Sequence, residues 1–217
     1  MLFATICLWP SAISRQTYAP PEVLSAGDAY VSYQIVTDGL FVLDVGLSDK
    51  GEIERIEALR DPGSMIGAAK TSVRSWKFRP LSENGKPRPG RLTVTFVYRP
   101  SNYPGIRPLP PKDFIPVIPS DELDGGDFVP VGILSFDYPD YPVNSVAWGS
   151  VVVQVIVDSS GEVRDTNLLH GMAGFNEFAL DALKKWRFRA ATLRGKPVTS
   201  KTVVAFVFQS PPPRSAR

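Results

Sequence analysis

The only histidine in the chain is His170, directly before Gly171, and the carboxylates with the most suggestive spacing are Asp158 and Glu162. A histidine near two acids is the minimal kit for moving protons at neutral pH. The kit lacks its supports here. Asp158 and Glu162 flank the stretch DSSGE, whose Asp and Gly are explained by turn chemistry alone, and His170 closes a predicted strand, where a lone histidine is a surface residue. The chain has no Gly-x-Ser-x-Gly elbow, no HExxH and no glycine-rich phosphate loop. Its single cysteine, Cys7, can form neither an intrachain disulfide nor a cysteine metal cluster. These residues predict no enzyme, no metal site and no cofactor.

A second candidate chemistry is electrostatic. Lys184, Lys185, Arg187, Arg189, Arg194 and Lys196 fall within 184–196 without one acid among them, whereas 112–140 carries one Lys against seven acids. A cationic surface binder using Lys184, Lys185 and Arg194 is one reading; a solvated helix end and loop is the other. A formal net charge of +2 over 217 residues does not announce a nucleic-acid partner.

What must position such groups is written twice. Residues 74–87 read RSWKFRPLSENGKP and residues 184–197 read KKWRFRAATLRGKP, and setting 39–98 over 149–208 needs no gap because every matching pair lies 110 positions apart. Sixteen of those sixty positions are identical, among them Gly51/Gly161, Trp76/Trp186, Phe78/Phe188 and Pro87/Pro197. That period is too long for a solenoid unit and indicates a duplicated domain.

Each copy has one grammar. LFVLDVGLS and SVVVQVIVD are strands, SDKGE and DSSGE are turns in which Gly supplies a positive φ, and EIERIEAL and EVRDTNLL return as the second strand of a hairpin. FNEFALDALKKW has helical spacing; MIGAAKTSVRSW, with Gly67, Thr71 and Ser72 inside it, predicts a shorter or looser helix. TVTFVY and TVVAFVF close the units as strands. Trp76 and Trp186 end the helices, Phe78 and Phe188 plug the gap between helix and sheet, and Arg79 and Arg189 point away, within reach of helix-terminal carbonyls.

The expected fold class is therefore α+β: two tandem units, each a three-stranded antiparallel sheet covered by one helix in the order β-β-α-β. The expected boundaries are an apolar N-terminal segment at 1–24, a first unit at 25–100, a Pro-rich and acidic linker at 101–135, a second unit at 136–210 and a disordered tail at 211–217. The start, MLFATICLWPSA, is far short of the roughly 20 apolar residues that span a bilayer; a secretory segment cut short and a disordered apolar end both fit it.

Tyr141-Pro142, the valine-rich strand with its Gly turn, the helix, WRFRA, RGKPV and the last VVAFVF strand together resemble the C-terminal domain of the TonB energy-transducer family over 141–209. The first copy resembles a divergent relative, with Val31-Ser32 where Tyr-Pro would fall. The resemblance implies a periplasmic or cell-envelope protein that grips an extended segment of an outer-membrane transporter by strand addition, with Thr202, Val203, Val204, Ala205, Phe206, Val207 and Phe208 as the free edge. Anchored members transmit force; without a spanning helix in this chain, the expectation is an unanchored binding protein. The alternative is that strands 93–98 and 203–208 pair with each other, as an internal pseudo-dimer or, between chains, a homodimer, leaving no free edge.

Overall fold

The computed structural model describes residues 17–29, 38–63, 65–100, 114–120, 127–142, 145 and 147–209. Expectations for the apolar start up to residue 16, for 101–113 of the spacer and for the tail at 211–217 lie outside them.

The repeat is visible element by element. The first unit runs β1 (Tyr18–Ala19), β2 (Glu22–Ser25), β3 (Gly39–Leu47), β4 (Ile53–Arg60), α1 (Ile66–Arg74), β5 (Lys77–Arg79), β6 (Leu81–Glu83), β7 (Lys86–Arg88) and β8 (Gly90–Pro100). The second repeats it as β9 (Phe128–Val129), β10 (Gly132–Ser135), β11 (Gly149–Val157), β12 (Val163–His170), α2 (Asn176–Leu183), β13 (Arg187–Arg189), β14 (Ala191–Leu193), β15 (Lys196–Val198) and β16 (Ser200–Gln209). Strands β3 with β4, and β11 with β12, form the two antiparallel hairpins.

The expected α+β pair of three-stranded modules does not form. The described residues are mostly β, 53% strand against 10% helix, and the two sheets are one six-stranded sheet in the order β12-β11-β16-β8-β3-β4. Its centre is a parallel ladder between β8 and β16, running from Val203 opposite Val94 to Gln209 opposite Pro100. The physical reason lies in the closing strands. Thr202 to Phe208 are all 0–1% exposed, so both faces of β16 need a cover. One helix covers one face, and an isolated module would leave Val203, Ala205 and Val207 in water. Burying a Val is worth about 1.5–3 kcal/mol, whereas doubling the length of the connecting segment costs only about 0.6 kcal/mol in closure entropy. Merging wins.

The register follows from the covers. α1 packs on the face carrying Val94, Phe96 and Val203, and α2 on the opposite face with Val204, Phe206 and Phe208. Equivalent residues of the two units, 110 apart, therefore point to opposite faces, while partners across a parallel ladder share a face. An odd shift is required, and the observed partners are 109 apart.

The remaining faces are covered by exchanged arms, which the sequence reading missed. β2 and β10 each pair within their own unit, with β5 and β13. Their residues nevertheless lie over the other unit: Val23 and Ala29 pack with Val152, Val203, Ala205 and Val207, while Phe128, Val131 and Ile133 pack with Leu40, Val42 and Val97. Val23 N donates to Gln154 Oε1 at 3.0 Å, Ala29 N to Ser150 Oγ at 2.8 Å, and Thr93 Oγ1 to the Val131 carbonyl at 2.7 Å. β9 and β10 thus lie inside the stretch expected to be linker.

Two outcomes are expected. In the isolated chain, hydrogen exchange at amides 202–208 proceeds only through global unfolding, since β16 is paired on both sides; exchange as fast as in the turns would contradict the fold. At the hairpin turn, Gly161 has φ +90°, and a Cβ there would meet the Phe188 carbonyl oxygen at 2.2 Å. Gly161→Ala lowers stability by about 2–3 kcal/mol, read from the urea midpoint.

Candidate binding edge and groove

The hairpin turn uses up the most suggestive carboxylate. Asp158 Oδ1 accepts from Ser160 Oγ at 2.6 Å, Ser160 N at 2.8 Å and Glu162 N at 3.1 Å. These bonds, that of the Ser160 hydroxyl foremost, hold its carboxyl below the ordinary carboxylate range. His170 lies at the far end of β12 with Nε2 3.7 Å from Asp28 Oδ1 of the first unit's arm. The histidine and the Asp158–Glu162 pair therefore sit at opposite ends of one strand, and their geometry is that of a turn and a seam.

The motif aromatics close the fold. Trp186, 1% exposed, ends the turn after α2, packs its ring against Phe136, Phe188 and Phe206, and donates its indole N–H to the Asp137 carbonyl at 3.0 Å. Trp76 stacks on Phe96 with centroids 6.0 Å apart, and Phe78 is buried beside it in the same cluster. The indole N–H of Trp76 finds no acceptor among the described residues. The position equivalent to Asp137 is Gly27. Arg79 does not reach a helix carbonyl: its guanidinium pairs with Glu22 of β2. Gly51, like Gly161, backs onto the motif strand, a Cβ there lying 2.5 Å from the Phe78 carbonyl oxygen.

Tyr141 caps the end of β16. Its ring meets Phe175 and Phe208 at 5.5 and 5.7 Å, its hydroxyl donates to the Ala147 carbonyl, and burial pushes its pKa up to about 12. Pro142 follows it, half-buried. Tyr141 thereby packs over the end of the last strand.

Half of the basic run is engaged in ion pairs. Lys184 pairs with Asp181 at 2.6 Å and Lys185 with Asp137 at 2.9 Å, the latter bond raising the lysine's pKa. Arg194 bridges the units, reaching Glu83 at 2.8 Å and Asp127 at 3.1 Å. The three cations that a polyanion reading requires already have partners.

The strand expected to offer a free edge, Thr202 to Phe208, is interior: β11 pairs with one side and β8 with the other. The outer strands are β12 and β4, and no strand among the described residues pairs with their outer sides. Each edge borders a groove running to its own helix. Beside β12 the groove is about 600 Å³, with Val163, Leu180 and Leu183 as apolar wall and Arg164, Asp165 and Glu177 among the polar residues. Beside β4 a groove of about 620 Å³ is lined by Ile53, Ile56, Trp76 and Phe78 together with charged side chains. An edge strand over an apolar groove can take an extended segment, pairing its main chain and seating alternate side chains. The signal that could have located the interior strand was present: TVVAFVF is apolar on both faces, the pattern of a central strand.

Residues 135–209 match the family model described as Gram-negative bacterial TonB protein C-terminal. That stretch resembles a TonB C-terminal domain over 75 of the 217 residues. The match does not include the first unit, which shares with the second the 110-residue sequence repeat and the element order. No curated protein and no solved structure matches the chain. The chain thus carries a TonB-like envelope protein-interaction module, and no described helix is long and apolar enough to cross a membrane.

Because only one of the two equivalent indoles is hydrogen-bonded, Trp186→Phe is expected to destabilise the protein by about 1–2 kcal/mol more than Trp76→Phe. Parallel urea titrations of the two variants check it.

Proposed function

We propose that the TonB C-terminal unit binds an extended segment of a cell-envelope partner, an outer-membrane transporter foremost, along the outer edge of β12. The observation that carries this reading is the exchange of edges: β16 spends its free side on β8, so the unpaired strand of the domain is β12, next to the groove against α2. Binding is main-chain recognition without chemistry. The segment adds a seventh strand, its backbone donors and acceptors complete the ladder of β12, and every second side chain faces Val163, Leu180 and Leu183. Such pairing gives modest selectivity, set by the groove and by Arg164, Asp165 and Glu177 at its margin. The family's setting makes the periplasm the place of action, and the self-paired tandem serves as the rigid frame that keeps the edge flat and open.

Proline scanning tests it. In an antiparallel ladder the backbone groups of successive residues point alternately toward and away from the neighbouring strand. Asp165 and Thr166 are adjacent and lie opposite Ile156 and Val155. Of Asp165→Pro and Thr166→Pro, one breaks the ladder to β11 and lowers stability by about 3 kcal/mol or more. The other leaves the fold intact and weakens binding of transporter N-terminal peptides at least tenfold. Undiminished binding by both variants would refute an edge on β12.

A further inference from the structure

We propose that the first unit carries a second and chemically different strand-addition site, the outer edge of β4 with its groove to α1, and that its occupant is an acidic extended segment. The inference rests on the reading of β12 as a strand-addition edge, carried to the other end of the same sheet.

The duplication brings the site into being. β4 is to the first unit what β12 is to the second, the last strand on its side of the sheet. The two grooves differ in charge. That of the second unit is lined by two cations and three acids, Arg164 and Lys184 against Asp165, Glu177 and Asp181. That of the first has Lys50, Arg55, Arg74 and Lys77 against Glu52 and Glu54. Arg55 is engaged with Glu57 at 3.1 Å and lies 3.7 Å from Asp44. Lys50, Arg74 and Lys77 are exposed, and none has an ion-pair partner among the described residues. Exposed cations at a groove margin attract anions at long range, and an acidic strand supplies a carboxylate at every second position.

Trp76 gives the groove a natural reporter. It forms part of the groove wall, is 3% exposed, and its indole N–H lacks an acceptor where the equivalent Trp186 has the Asp137 carbonyl. The indole N–H is itself shielded from solvent, so it reports on the groove wall and does not bond the segment. The chain is then bivalent, with two edges of unlike charge preference at opposite ends of one sheet.

Nuclear magnetic resonance and calorimetry on the full chain decide it, with an acetylated and amidated octapeptide of alternating Val and Glu as probe. The expected result is one peptide bound per chain, shifts of the β4 amides and the Trp76 indole N–H, and affinity that falls as salt rises. Arg74→Glu combined with Lys77→Glu, both exposed, weakens this binding at least tenfold and leaves transporter-peptide binding at β12 unchanged. A Val and Lys octapeptide does not bind at β4. The Val and Glu peptide N-methylated at every second residue keeps its charge but loses ladder donors, and it fails to bind. Three results would overturn the proposal: equal binding of the methylated peptide, which is mere cationic adsorption; shifts confined to 184–196 or to β12; or concentration-dependent dimerisation through β4 that excludes the peptide. Loss of transporter-peptide binding at β12 with β4 binding intact counts against the first reading alone.

Discussion

The parallel ladder between β8 and β16 is the constraint from which the rest of the architecture follows. Both strands are buried on both faces, so each needs a cover above and below. Lying side by side at the centre of one sheet, they can share covers from both units. Parallel pairing places α1 and α2 on opposite faces, and that in turn forces the odd register and leaves half of each face open. The arms at 22–29 and 128–133 fill those halves. Removing any of these parts exposes the apolar face of another.

Exchange of the arms makes the two units interdependent. Each arm is pinned by strand pairing to its own unit and by side-chain contacts to the other, and ion pairs reinforce the crossing: Lys201 with Glu22, Arg194 with Glu83, His170 beside Asp28. Within the first unit a buried charge pair joins β8 to β3: Arg91 Nε donates to Asp44 Oδ2 at 2.9 Å while Nη1 reaches the Ser120 carbonyl at 2.7 Å. Buried pairs of this kind add little net stability but penalise any arrangement that separates them. They hold the register against slippage.

The functional consequence is a relocation. In a lone β-β-α-β unit the closing strand is an edge and the obvious place to receive a guest. Here that edge is spent on the sister unit, and recognition moves to the hairpin strands at the two ends of the sheet. Because the end strands carry exposed charges and the central ones are largely buried, the exchange also protects the chain: the most aggregation-prone strands are enclosed, and the edges left open are IERIEALR and VRDTNLLH, which resist indiscriminate pairing.

Sequence alone determined the 110-residue repeat, the hairpins with their obligatory Gly51 and Gly161, the two helices, the plugging role of Trp76, Phe78, Trp186 and Phe188, and the likeness of 141–209 to a TonB C-terminal domain. Each of these is written in neighbouring residues or in a fixed period. It even held, unread, the arm repeat, since Pro20, Leu24 and Ser25 recur as Pro130, Leu134 and Ser135 at the same interval. Only the tertiary structure decided which strand edge is free, that the sheets merge, and that one groove is basic while its twin is not. Those outcomes depend on partners about a hundred residues away, chosen by the burial of whole faces, and no local pattern states which of two apolar edges will find the other first.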